Sequence, residues 1–185
     1  MRAARTPTNL TGAAGEYFTA AELSTRGWLA TVTIKNAPET DVLAQHAATG
    51  RLISVQTKTA TGQWFRLGVK DERPSREPNE WFVFVRLLGR DRRPEFFVMP
   101  QHHVAAVLYV TRREFSERHE REPAQMSISP AWIADYREQW DFLEAADPMA
   151  IPYCGDDSRW ELLERLGVST DHPWHRRLPK RLVTA

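Results

Sequence analysis

The chain has 185 residues, of which 42% are hydrophobic and 26% charged, and its formal net charge is +1. The length fits one domain with a substantial core, and the near-neutral charge excludes a global basic field as the means of binding nucleic acid, so such a partner needs a local patch. Cys154 is the only cysteine, which excludes an intrachain disulfide and a zinc site built on several thiolates.

Targeting and membrane segments are not expected. The N-terminal segment has no apolar stretch behind its arginines, so we expect no signal peptide. No run in the sequence reaches the ~20 apolar residues of a membrane span, and we expect no membrane association. A single cysteine fits a reducing compartment, and we expect a cytoplasmic protein.

Helix caps, apolar periodicity and turn residues predict an α/β protein in which one helix precedes several strands and further helices follow. The predicted helices cover residues 12–26, 101–110, a segment that starts at Ser129-Pro130, and 157–166. The predicted strands cover 28–34, 40–47, 51–59, 81–88 and 95–99, with 64–69 as a candidate extension of the sheet and 70–80 as a charged loop. The expected parts are a flexible N-terminus (1–10), a core (11–110), a helical extension packed on the core (111–170) and a basic tail (171–185).

The first predicted helix carries an acidic residue on its apolar face. Glu16 shares a stripe with Ala13, Ala20 and Leu23, at spacings of three and four residues. An acid on this stripe faces the protein interior and can take part in a site there. The alternative is a capping or solvent-exposed glutamate, which the helix dipole favours in the first turn.

Gln56-Thr57-Lys58 lies on the third predicted strand, where alternate side chains project the same way, so Gln56 and Lys58 share one face. A lysine on an inward face is costly unless polar groups surround it. Pairing about the turn at residues 48–50 places Asp41 opposite about Thr57, and hence beside Gln56 or Lys58.

These residues supply the chemistry that a metal-dependent phosphodiesterase needs. The oxygen atoms of Asp41, Gln56 and Glu16 suit a hard cation such as Mg²⁺ or Mn²⁺. Lys58 cannot be a ligand, but it can act on the attacking water or on the charge of the transition state. The predicted catalytic residues are therefore Glu16, Asp41, Gln56 and Lys58, of which the first three are also the predicted metal ligands.

The order Glu16, Asp41, Gln56-x-Lys58 on helix, strand and strand resembles the PD-(D/E)xK nuclease superfamily, in its Gln-x-Lys variant. Residues 12–20 are similar to the first helix of its Holliday junction resolvase-like members. The resemblance implies a restriction endonuclease-like αβββαβ core with a mixed central sheet and additional C-terminal helices. It also implies an endonuclease that hydrolyses DNA phosphodiester bonds with Mg²⁺ or Mn²⁺ and works as a homodimer.

Two positions depart from the pattern of that superfamily. Gln56 stands where an acid is usual, and two residues separate Pro38 from Asp41. An amide in place of a carboxylate removes one negative charge from a metal site. The alternative function is therefore a catalytically inactive nuclease-fold module that binds nucleic acid or a protein partner.

Basic and aromatic residues outside the motif are candidates for contact with DNA. Phosphate contacts are predicted from Arg66, Lys70, Arg176 and Arg177. Trp64 and Trp174 could stack on bases, although a core or dimer contact is the favoured alternative for Trp64.

The histidine pair and the cysteine are not expected to form a site. His102 and His103 are neighbours at the start of a predicted helix, where adjacent side chains diverge by ~100° and cannot share one metal ion. We expect them near the helix cap or at the surface. Cys154 is expected to be a small buried residue.

Overall fold

The computed structural model describes residues 7–33, 40–73, 75 and 77–154, and it confirms the predicted α/β class. The long helices and the strands are α1 (Thr8–Thr25), β1 (Trp28–Val32), β2 (Val42–His46), β3 (Leu52–Ala60), β4 (Phe65–Leu67), β5 (Glu80–Arg86), β6 (Glu95–Pro100), α2 (Gln101–His119) and β7 (Met126–Ile128). Short 3₁₀ helices cover Val69–Glu72, Pro130–Tyr136, Trp140–Glu144 and Pro148–Ala150. Within these residues, no helix is long and apolar enough to cross a membrane.

The central sheet has five strands in the order β1-β2-β3-β5-β6, and it is mixed. The pair β3–β5 is parallel, and the other three pairs are antiparallel. The chain crosses from β3 to β5 through β4 and the 3₁₀ helix Val69–Glu72, which we call the crossover helix. Five successive residues of β5 are buried, as expected for a central strand that is covered on both faces.

Each face of the sheet carries its own apolar core. On one face, α1 contributes Leu23 to a cluster that includes Val42 and Val55; this is the α1 face. On the other, α2 contributes Val104 and Leu108 to a cluster that includes Phe82 and Phe84; this is the α2 face. Since side chains alternate along each strand, a residue next to one that packs on the α1 face projects to the α2 face.

The pairing of β4 and the length of α2 differ from the predictions. Residues 65–67 do not extend the central sheet, because β4 pairs with β7 in a separate two-stranded sheet. The helix predicted from residue 101 to 110 continues to His119, where Glu120 ends it with a left-handed backbone conformation (φ 52°). Most of the first ten residues of α2 are buried, whereas its last turn is exposed. An apolar pattern in the sequence therefore predicts only the first half of this helix.

The helix predicted from Ser129-Pro130 begins where expected, but it ends at Tyr136 and does not continue to Leu143. Ser129 does cap a helix, since its side chain accepts a hydrogen bond from the amide of Ala131, but the helix is a short 3₁₀ segment. The apolar residues that follow Pro130 at helical spacing are divided between the two cores: Ile133 and Tyr136 pack on the α2 face, whereas Trp140 and Leu143 pack on the α1 face. One straight helix cannot reach both faces. The chain therefore becomes extended after Tyr136, and the amide of residue 138 donates to the carbonyl of Phe96 in β6.

The two histidines at the start of α2 are buried, contrary to the expected cap or surface positions. The hydroxyl of Tyr136 lies 2.9 Å from Nδ1 of His103 and accepts a hydrogen bond from the backbone amide of Cys154. A hydroxyl can accept two hydrogen bonds as well as donate one, so either group can be the donor in this contact. Burial, and then the neighbouring His102, hold the pKa of His103 well below its usual value of 6.5.

This buried histidine should make the fold less stable in acid. Below pH 6.5, His103 binds a proton in the unfolded chain but not in the native protein. We expect its contribution to the free energy of unfolding to fall by about 1.4 kcal/mol per pH unit below that value. Chemical denaturation at about pH 5, 6 and 7 measures how the free energy of unfolding changes per pH unit. His103→Asn keeps a hydrogen-bonding partner for Tyr136 and should flatten the dependence of the free energy of unfolding on pH. An equal slope in both proteins would contradict a buried, neutral His103 in the native state.

Candidate functional site

Asp41 and Gln56 meet on the α2 face of the sheet. Nε2 of Gln56 donates to Oδ2 of Asp41 at 2.8 Å, and the backbone amide of Thr57 donates to the same oxygen at 2.7 Å. Both residues are half-buried. The carboxylate of Asp41, the residue directly before β2, is therefore held against β3 and contacts the side-chain amide of Gln56.

The strand register produces this contact. Val42 pairs with Val55, which aligns Asp41 with Gln56, one residue from the predicted alignment with Thr57. Val42 and Val55 belong to the core of the α1 face, so Asp41 and Gln56 project to the α2 face. Lys58, two residues after Gln56, projects to the same face.

Lys58 forms an ion pair with a residue that the sequence did not suggest. Its Nζ lies 3.0 Å from Oδ2 of Asp71, and the side chains of Lys58 and Asp71 are 16% and 4% exposed. Nζ also lies 5.9 Å from the centre of the Phe82 ring. The inward lysine thus has a buried carboxylate partner, which removes the cost of an unpaired charge in the interior.

The crossover helix holds Asp71 in place. Oδ2 of Asp71 also accepts from the amide of Gly68 at 2.7 Å. Nε2 of Gln101, at the start of α2, donates to the carbonyls of Asp71 and Arg73 at 3.2 and 2.9 Å. Arg112 on α2 contacts both carboxylate oxygens of Glu72 at 2.7 Å. Residues 69–73 are therefore fixed to α2, although the predicted loop 70–80 gave no sign of it.

Burial raises the pKa of the Asp41 carboxyl above its usual value of 3.8. The hydrogen bond from Thr57 and the charges of Lys58 and Lys70 lower the pKa, while the charge of Asp71 raises it, and the balance stays upward. Asp41 therefore sits where a negative charge is partly desolvated and where a further cation would stabilise it.

The raised pKa predicts that the ionised Asp41 carboxylate weakens the fold when no metal is bound. Protonated Asp41 is favoured in the native state, so its stabilising contribution is lost as the pH rises through the native pKa, above 3.8. We expect Asp41→Asn, which mimics the neutral acid, to unfold at a higher temperature than the wild type at pH 7 in EDTA. The difference should shrink as the pH approaches 4 (about the unfolded value). A less stable variant at pH 7 would contradict this prediction.

Glu16 lies on α1, at the other side of β3. Gly15 packs against Thr59, and Oγ1 of Thr19 lies 3.4 Å from Oγ1 of Thr57. Thr57 and Thr59 alternate with Gln56 and Lys58, so the helix packs on the opposite face. The structure thus brings Asp41, Gln56 and Lys58 to one face and places the helix that carries Glu16 on the other, at the same end of β3.

The site borders a part of the α2 face that no described element covers. Leu29 on β1 and Leu43 on β2 project to this face and are 67% and 52% exposed. Arg66 and Lys70 are exposed, and Trp64 is exposed with its ring edge-to-face on Trp132. Among the described residues, the β1–β2 side of this face is therefore left uncovered next to Asp41. The predicted contacts Arg176, Arg177 and Trp174 lie outside the described residues.

The donor set can be tested for fit to a divalent cation. No group of three or more histidine, cysteine, aspartate or glutamate side chains suited to a metal occurs in the described part of the chain. Mg²⁺ commonly keeps several waters and binds through one or two carboxylates together with substrate phosphates. A half-buried carboxylate at Asp41, with the amide of Gln56 touching it and Asp71 nearby, fits that mode of binding.

Asp71 is the residue that sequence reasoning missed. It lies in a charged, proline-containing stretch without apolar periodicity, which is typical of a solvated loop. The signal available was indirect: an inward lysine on β3 requires a buried acid, and the segment that connects β3 to β5 contains the acids Asp71, Glu72 and Glu77.

Comparisons with known proteins give a distant likeness among solved structures. No family model matches the chain, and no curated protein matches it. Among solved structures, the bacterial homing endonuclease I-Ssp6803I aligns with a TM-score of 0.47 and 14% sequence identity, over 74% of this chain and 92% of that chain. Membership of the PD-(D/E)xK superfamily stays a prediction, and function has to be argued from the side chains of this chain.

Proposed function

We propose that this protein is a divalent-metal-dependent endonuclease that hydrolyses phosphodiester bonds in DNA. The observation that supports this most is the convergence of Asp41, Gln56 and Lys58 on one face of β2 and β3, beside an open part of the sheet. A purely structural ion pair would explain Lys58 and Asp71. It would not explain a half-buried carboxylate with a raised pKa and an amide neighbour at the edge of an accessible surface.

Each residue of the site has a distinct role in this proposal. Asp41 would be the principal ligand of Mg²⁺ or Mn²⁺, and Gln56, whose side-chain nitrogen donates to Asp41, would supply its side-chain oxygen as a neutral ligand. A bound ion supplies Lewis-acid stabilisation and lowers the pKa of a coordinated water. Lys58 orients the attacking water or balances charge on the phosphate in the transition state. Glu16 lies in the middle of α1 on the opposite face of the sheet, so its predicted part in the site is not included in this proposal.

DNA would approach over the β1–β2 side of the α2 face. Lys70 is exposed and close enough to affect the pKa of Asp41, so it is suited to a phosphate next to the scissile one. Arg66 on β4 is a second exposed cation, and Arg176 and Arg177 are proposed as further phosphate contacts. Because the net charge is only +1, DNA binding depends on these few cations, and we expect its affinity to fall with salt in proportion to the number of phosphates they contact.

Cleavage assays test the proposal. Purified protein is incubated with Mg²⁺ or Mn²⁺ and with duplex, single-stranded and branched DNA, and EDTA serves as the metal-free reference. We expect cleavage of at least one form, loss of cleavage in EDTA, and loss in Asp41→Asn. Asp141→Asn is the matched control, because it makes the same change at an exposed aspartate outside the site, and it should cleave like the wild type.

The alternative function predicts a different pattern. A catalytically inactive nuclease-fold module would bind DNA or a protein partner without cleaving any DNA form. It would bind no divalent cation at Asp41, and Asp41→Asn would leave its binding unchanged. Cleavage that persists in EDTA would also contradict the proposed function.

A further inference from the structure

The charges at the site do not suit a divalent cation unless Asp71 is part of it. Asp41 is the carboxylate at the proposed ligand position, and Gln56 is neutral. Lys58, on the same face, carries a positive charge that cancels the negative charge of Asp41. A site with no net charge attracts a dication weakly, since ligand charge is a main determinant of affinity.

We propose that Asp71 is a positioning residue of the site, which balances the Lys58 ammonium so that the Asp41 carboxylate stays available to a divalent cation. This inference rests on the proposed function. With Asp71 included, the group of Asp41, Asp71 and Lys58 has one net negative charge. The 3.0 Å contact between Lys58 and Asp71 is the direct observation behind it.

The surroundings of Asp71 suit a fixed counter-charge. Its side chain is only 4% exposed, and it also accepts a hydrogen bond from the amide of Gly68. Gln101 binds the backbone carbonyl of Asp71, and Arg112 binds Glu72, so α2 sets the position of the crossover helix. Lys58 is thereby held at one place beside Phe82, which a flexible surface acid could not achieve.

Titration of Mn²⁺ into the metal-free protein, followed by calorimetry, tests this role without depending on cleavage. Asp71→Asn should weaken Mn²⁺ binding by at least about 10-fold, the usual scale for groups that support a metal ligand. Asp141→Asn is the matched control: it makes the same substitution at an exposed aspartate outside the site. Its Mn²⁺ affinity should stay within about 3-fold of the wild type.

Two double variants separate charge balance from simple packing. Lys58→Met combined with Asp71→Asn removes both members of the pair and leaves one net negative charge, so Mn²⁺ affinity should return to near the wild-type value while cleavage stays lost. Gln56→Glu combined with Asp71→Asn restores a carboxylate on the same face and should also recover Mn²⁺ binding. A merely structural role for Asp71 predicts that Mn²⁺ affinity follows the free energy of unfolding across these variants, whereas charge balance predicts that it follows the net charge of the site.

The outcomes distinguish this inference from the proposed function. If the wild type binds no Mn²⁺, the proposed function and this inference both fail. If the wild type binds Mn²⁺ and Asp71→Asn binds it equally well, only the role of Asp71 is overturned. If Asp71→Asn does not fold, the comparison is made between the wild type and the Lys58→Met/Asp71→Asn protein, and weaker binding in the latter overturns the inference.

Discussion

Lys58→Met is expected to lower the rate of DNA cleavage by at least about 100-fold, the scale on which loss of one group that stabilises transition-state charge acts. Methionine has a similar length but no charge, so the position next to Gln56 on β3 would be filled without an ammonium. Single-turnover cleavage with saturating Mg²⁺ measures the change in the chemical step. A variant that cleaves at the wild-type rate would show that Lys58 has only a structural role.

The same substitution should also destabilise the protein, and a second variant separates the two effects. Lys58→Met leaves Asp71 buried without its cation, and loss of one partner from a buried pair costs about 3–5 kcal/mol. The double variant Lys58→Met/Asp71→Asn removes the stranded charge, so it should recover much of that stability, as judged by chemical denaturation. Its cleavage should stay as low as that of Lys58→Met, because neither protein has the ammonium.

Gly15→Ala is expected to reduce the free energy of unfolding by about 3 kcal/mol, at the upper end of the usual cost of overpacking. A Cβ at Gly15 would lie 1.8 Å from Oγ1 and 2.9 Å from Cβ of Thr59. Rotation of the threonine side chain relieves the first contact but not the second, so α1 has to move away from β3. Denaturant unfolding measures the change.

Gly12 provides the matched control for Gly15. It lies in the same helix, and a Cβ there would meet no heavy atom within 4 Å. Gly12→Ala should raise the free energy of unfolding by about 0.5–1 kcal/mol, because alanine loses less conformational entropy in a helix than glycine does. Equal effects of the two substitutions would show that α1 does not pack on β3 through Gly15.

Local signals in the sequence predict most of the central sheet and the positions of its turns. The β2–β3 hairpin follows from Gly50, which has φ of +72°, and the end of α1 follows from Gly27, which has φ of +84°. Alternation along β3 correctly places Gln56 and Lys58 on one face. The contact between Asp41 and Gln56 then depends on register alone, which the turn fixes to within one residue.

The features that the sequence does not predict depend on contacts between distant segments. Strands β4 and β7 have three residues each and pair across about sixty positions of the chain, a distance at which neither segment has a local signal. Asp71 is buried because α2 packs on the crossover helix, and no property of the segment itself indicates that burial. Trp140 and Leu143 follow Tyr136 at helical spacing in the sequence, yet they pack on the opposite face of the sheet from Tyr136.

Calorimetric titration of Mn²⁺ into wild-type protein and Asp41→Ala tests most directly whether β2 and β3 form a divalent-cation site. We predict one binding event in the wild type and none in Asp41→Ala, with thermal unfolding used to verify that both proteins are folded. No Mn²⁺ binding by the folded wild type, or the same binding by both proteins, would contradict a cation site at Asp41 and would favour a module that binds its partner without metal chemistry.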